Sequence, residues 1–478
     1  MANPEHVVLL LSTEWNNWRA QNVNVTPDLT ESNLAGRDLS QKDLKRADLS
    51  GADLSGATLA GTDFTRATLA NARFAGASAP GALFEHCKLD MLNLTRVFLA
   101  GARLRSASLQ GCQLSNADCA GADFSFAKLE GADVSGANFA GANLSEVSFR
   151  GVKTSGAHFD GADFSRCLFE NVSVARGSFP NAKFEAANLK GADFSGADLR
   201  RAKFVRASLR QTMLNAANCE GADFSEADME LASAVEANFS GANFERAKLR
   251  KAELRRSVFL DAMGKNVQFT ESKLAEVDLR TARFESASFQ GADLSKAILA
   301  RANLKPYSFA GARFSGTDAS ETQAEGVNFS RADFSLGNFR LADLRRANLS
   351  GCRAFDADFS GTMLVGTDFT GASLQEADLR FARAIGANFT RADLSGADLA
   401  NADLSESIFK KAKLWGVTAR RAKSSGGKSL VMSLSTMFSK TKEKKSKALD
   451  EKEKARLKRI ASLEAAAVKK PPHLTGKR

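Results

Sequence analysis

A chain of 478 residues with 66 lysines and arginines against 55 acids carries a formal charge of +11, and 44% of it is apolar. The average hides a division: residues 1–28 sum to −2, residues 29–416 hold 47 charges of each sign, and residues 417–478 hold 18 basic and five acidic groups, or +13. A basic body is thereby excluded, and no apolar run is long enough to cross a bilayer.

The first element is a short helix over residues 4–20. Leu10, Leu11, Trp15 and Trp18 fall on one side of it at three- and four-residue spacings. With residues 1–26 as one unit, Leu11, Trp15 and Trp18 are the candidate capping residues for whatever follows. Val7–Leu11 is too short, and lacks the preceding basic region, to be a signal peptide. The expected compartment is the bacterial cytoplasm, with signal-independent export left open.

From Leu29 to Leu414 the chain keeps a five-residue beat without an insertion or deletion. Of its 78 central positions, 36 are Leu and 29 are Phe, and the position two before is Ala in 50. Two after the centre, Gly recurs 30 times. Neither a helix, with period 3.6, nor a strand, with period 2, keeps such a signal on one face. The unit must be rich in turns and point one large and one small side chain inward. Because Arg, Asn, Glu and Phe share the slot with Gly, that position reads as turn-like but not strictly left-handed.

ADLSGADLSGATLAGTDF at residues 47–64 closely resembles the pentapeptide-repeat family, whose unit is A-[DN]-[LF]-x-x. The resemblance covers residues 27–416 and implies an all-β solenoid, a right-handed quadrilateral β-helix with four pentapeptides per coil. About 19 coils at the roughly 4.8 Å strand spacing would make a rod on the order of 90 Å long. LLLSTEWNNWRAQN resembles the leader that precedes the first repeat in many such proteins, which suits a cap over an open solenoid end.

Four per coil makes residues twenty apart vertical neighbours. Phe164, Phe184, Phe204, Phe224 and Phe244 should then stack as one interior ladder. Glu130, Arg150, Glu170, Lys190, Arg210, Glu230 and Arg250, and likewise Glu236, Arg256, Glu276 and Lys296, form columns of mostly alternating sign. Gly264 interrupts the Phe column, so Gly264→Leu is expected to be neutral or stabilising if the backbone there is regular. Arg37 and Lys42 occupy small slots and must reach solvent or partners. Tyr307, after Pro306, is the largest misfit. The six cysteines all fall on inward slots, as small buried hydrophobes do, and show no metal-ligand spacing.

Beyond residue 416 the beat stops. Residues 417–428 read as a linker; their GGKS lacks the first glycine and the βαβ setting of a phosphate-binding loop. Residues 429–478 form a basic, partly helical tail. Leu430, Leu434, Met437 and Phe438 are followed by Lys440, Lys442, Lys444, Lys445 and Lys447, the candidate contacts for an anionic membrane, a nucleic acid or an acidic protein.

Histidines at 6, 86, 158 and 473 join no nucleophile or carboxylate constellation, and no cofactor, metal or small-molecule substrate is expected. The function read from the sequence is a non-enzymatic scaffold or protein-interaction module with an unidentified protein partner. The alternative implied by the resemblance is a DNA mimic that binds DNA gyrase or topoisomerase. That reading needs a strongly acidic surface, because duplex DNA carries about one charge per 1.7 Å of its axis.

Overall fold

The computed structural model describes residues 2–424. Two short helices, α1 (Pro4–Leu10) and α2 (Trp15–Gln21), precede a continuous coil. The single helix expected over 4–20 is therefore broken. Asn3 caps α1 through the amides of Glu5 and His6, and the chain turns at Ser12, whose hydroxyl donates back to Leu9.

Parallel bridges join nearly every residue before a centre to the one twenty further on. Asp28 pairs with Asp48, Asn33 with Asp53, Asp38 with Thr58 and Asp43 with Asp63, and the series runs to Asp403 with Lys423. Twenty residues therefore make one turn with four sides. We number the sides from the centres Leu29, Leu34, Leu39 and Leu44. The coil also outlasts the expected boundary at 416: Thr418 and Lys423 bridge back to Asp398 and Asp403, and Val417 is buried. The inward slots there hold Val417, Ala419 and Ala422, which are small enough to fit but too small to sustain the Leu/Phe beat.

One repeat shows why the motif has its composition. The amides of Leu49 and Gly51 donate forward to the next coil, at Thr68 and Ala70 (both 2.8 Å). Asp53 donates backward to Ser32 at 2.9 Å, and Ala52 closes the turn onto Leu49 at 3.0 Å. The fifth amide, that of Ser50, has no backbone acceptor and donates to Oδ1 of Asp48 at 3.0 Å. An orphaned amide in a packed structure is costly, so Asp or Asn before the centre completes the hydrogen bonding of the coil. The same bond recurs at Asp123, Asn143, Asp163 and Asp393.

Each corner turns through a left-handed residue. From 31 to 421, 77 of the 79 corner positions have φ between +52° and +77°, and 47 of them are not glycine. The slot is left-handed at all but two positions, against the permissive reading. Its composition follows: apart from one Thr and one Pro it holds no β-branched or ring-locked residue, the types for which φ > 0 is most strained. Thr281 and Pro306 are the two exceptions.

Both exceptions lie within the one irregular stretch of the described coil, between Asp261 and Tyr307. On the fourth side the rings of Phe164, Phe184, Phe204, Phe224 and Phe244 stack at 4.9, 5.0, 4.9 and 5.3 Å, tilted by 9° or less. At Gly264 the turn straightens into β1 (Met263–Lys265), which pairs in parallel with β2 (Arg283–Glu285). Phe284 leans into the vacant position, 6.3 Å from Phe244 and edge-on at 75°. The amide of Asp261 turns to the Thr281 hydroxyl, 2.8 Å away. Tyr307 enters from the next coil. Its hydroxyl accepts from the Phe284 amide (3.3 Å) and donates to the Ala282 carbonyl (3.4 Å), replacing ladder bonds with side-chain ones.

Candidate functional site

At the N-terminal end the two helices imitate a preceding coil. The Asp28 amide, with no coil before it, donates to Nδ1 of His6 at 3.1 Å, and the Asp43 amide to Oδ1 of Asn16 at 2.9 Å. The exposed carbonyls are met as well: Asp43 by the Trp15 indole (2.7 Å), Lys45 by Arg19 (2.9 Å), Asp28 by the Asn3 amide (3.2 Å). Trp15 is fully buried and Trp18 half-buried against it, ring centroids 5.3 Å apart. Leu11 is exposed; Leu10 takes the buried position, because the helix ends there and Leu11 is its C-cap. Lys42 donates to the Ser12 carbonyl at 2.6 Å, and Arg37 stays exposed. His6, Asn16 and Arg19 were not legible as cap residues, since an apolar pattern says nothing about which polar groups meet an open edge.

The inward slots leave little for chemistry. Thr62, Thr212, Thr317, Thr362 and Thr367 donate their hydroxyls to a centre carbonyl one coil back, and the Cys87, Cys112 and Cys167 thiols do the same. Burial pushes the Cys87 and Cys112 thiols up to about 12 and the other four higher still. A thiol is nucleophilic as its thiolate, so these six are packing groups. Among the described residues no three His, Cys, Asp or Glu side chains gather as metal ligands, and no helix is long and apolar enough to cross a membrane.

Outward, the charges interleave. Arg256 sits between Glu236 (3.3 Å) and Glu276 (3.0 Å), Lys190 faces Glu170 at 3.5 Å, and Arg210 meets both Glu230 and Asp228. The same twenty-residue step links Arg206 to Glu226, Arg301 to Glu321 and Arg353 to Asp333. Residues 2–424 carry 51 basic and 50 acidic groups.

One surface departs from this balance. Among the described residues after 300 the large exposed apolar side chains are Leu336, Leu341, Phe355, Phe381, Ile408 and Trp415. All but Ile408 stand at the two corners that border the third side, on strips 315–321, 335–341, 355–361, 375–381 and 395–401 or just beyond them. Those strips hold seven carboxylates against two guanidinium groups, Arg340 and Arg380, a net −5. The other three sides of the same coils, counted alike, are neutral to basic. Within the face, Arg380 is held by Asp378 at 2.6 Å with Asp398 3.9 Å away. Sequence reading missed this face, because its apolar residues lie far apart until the coil register is known. The candidate lysines of the tail, Lys440, Lys442, Lys444, Lys445 and Lys447, lie outside the described residues.

The pentapeptide-repeat models match this architecture: "Pentapeptide repeats (8 copies)" in segments from 28–66 to 387–423, and "Pentapeptide repeat region" over 102–179. Among solved structures, HetL from the cyanobacterium Nostoc sp. strain PCC 7120, involved in heterocyst differentiation regulation, is 24% identical. It covers 54% of this chain and 92% of its own, with a TM-score of 0.18. Rfr23 from the cyanobacterium Cyanothece 51142 is 29% identical over 21% of this chain, which spans 65% of Rfr23, with a TM-score of 0.17. QnrB1, a plasmid-mediated fluoroquinolone resistance protein, is 19% identical over 44% of this chain and 94% of its own, with a TM-score of 0.18. No curated protein matches the chain.

Proposed function

Since the chain belongs to the pentapeptide-repeat family, matched over most of its length, we propose that it is a non-catalytic rod that binds a protein partner along its third side near the C-terminal end. The observation that carries this reading is the apolar border, Leu336, Phe355 and Trp415 along one corner and Leu341 and Phe381 along the other, each 48–62% exposed. The large exposed apolar side chains earlier in the coil, among them Phe98, Leu168, Met213 and Met263, are spread over all four sides. Large aromatic and aliphatic groups flanking a polar strip are what a protein interface uses as anchors. Mimicry of DNA fits less well: a body with 51 basic and 50 acidic groups, paired coil by coil, does not present the continuous negative charge of a duplex.

The test compares wild-type protein with Phe355→Ser/Phe381→Ser as baits in native extract. Both substitutions lie outside the core and should leave the circular dichroism and melting unchanged. The expected result is one partner retained by wild type and lost by the double variant. A partner retained equally by both would overturn the assignment to this face.

A further inference from the structure

We infer that the acidic third side of the last coils is the docking site of the chain's own basic C-terminal segment, residues 429–478. The inference goes beyond partner binding but rests on the same face being an interaction surface.

Three observations converge. The first is charge. Residues 425–478 carry 15 basic and five acidic groups, or +10, while the five strips of the third side sum to −5. No other side of these coils is acidic, so a basic segment leaving the rod meets one attractive face. Oppositely charged surfaces steer encounter and fix register. Arg420 and Arg421 close the face at its C-terminal edge, so the complementary stretch begins one coil further in.

The second is apolar content. The segment opens with Leu430, Leu434, Met437 and Phe438 before its lysine cluster. The face has Leu341 and Phe381 along one corner and Leu336 and Phe355 along the other, with a carboxylate row through Asp358, Asp378 and Asp398 between them. An occupant of this face needs both apolar groups and cations, and the segment carries both.

The third is reach. The last described residues belong to the fourth side, which shares a corner with the third. Lys440 follows Ser424 by 16 residues, up to roughly 50 Å of extended chain, whereas five coils span only about 24 Å. Tethering places the segment at a millimolar-scale effective concentration near the face. A second copy, a nucleic acid or a membrane would compete against that.

The full-length protein tests this directly. Purified chain is treated with a zero-length carboxyl-to-amine cross-linker at 25 mM and 500 mM salt, and linked peptides are identified by mass spectrometry. An equimolar mixture of 15N-labelled and unlabelled protein separates links within a chain from links between chains. The expected result is links from Lys440–Lys447 to Asp358, Glu376 or Asp378 within one chain, reduced at least several-fold at high salt. Asp358→Lys/Glu376→Lys, folded by circular dichroism, should lose them. Links scattered over all four sides, links only between labelled and unlabelled chains, or no links would each overturn the proposal. Since no partner is present, this result is independent of whether the face binds one.

Discussion

Asp48 and its equivalents do two jobs with one carboxylate. Oδ1 accepts the amide that the coil cannot satisfy, and in many repeats it also accepts a Ser hydroxyl, as between Ser50 and Asp48 at 2.6 Å. At Asp53, Asp133 and Asp403 the bonds from the Ser two residues on hold the carboxyl below its ordinary range. A depressed folded-state pKa contributes stability above the unfolded value, near 4, and loses it as pH falls through the folded value. The melting temperature should therefore be flat from about pH 7 to 5 and fall below about pH 4. Asp133→Asn keeps an acceptor, as Asn138 does for Ala140 at 3.1 Å, so it should leave neutral stability unchanged and soften the acid limb. Asp133→Ala should cost about 1 kcal/mol at neutral pH. Equal losses in both variants, measured by thermal melts across pH, would refute this role for the carboxylate.

At the scale of the element, the Phe column shows how a coil absorbs a defect. A missing side chain at Gly264 does not leave a void to fill. Its backbone has moved so close to Phe244 that an added Cβ would lie 2.7 Å from the Phe244 carbonyl carbon, and Phe284 has already leaned in. Gly264→Leu, expected from the repeat pattern alone to be harmless, should destabilise by a few kcal/mol through overpacking. Denaturant melts compared with a regular site such as Ala234→Leu would check whether the two differ. The same stretch depends on Tyr307, whose phenol burial pushes its pKa up and whose hydroxyl serves both Phe284 and Ala282.

Over the whole molecule, each coil touches only its neighbours, so stability is close to a sum of coil and interface contributions. The cap then protects locally. Trp15→Ala removes a fully buried ring and the bond to Asp43, worth about 3–5 kcal/mol where it acts. In hydrogen exchange, amides of residues 28–66 should open faster in this variant while those of residues 300–420 keep their wild-type rates. Uniform acceleration along the rod would show that the coils unfold as one unit.

The period, the inward pair of slots, the vertical pairing of charges and the Phe ladder were all legible in the residues, because a repeat without insertions turns spacing into position. Arg256 between Glu236 and Glu276 needed only the number twenty. Other features required the folded coil. The left-handed corner was obscured by its 47 non-glycine occupants, since a regular ladder of hydrogen bonds can hold a conformation that local preference disfavours. Leu10 rather than Leu11, and the roles of His6, Asn16 and Arg19, depended on where an open edge leaves its amides and carbonyls. The acidic face gathered residues twenty to eighty positions apart onto one side. The sequence by itself determined what each five-residue unit buries; the tertiary structure decided how the ends, the defect and the outward faces are satisfied, because those depend on neighbours that no local pattern contains.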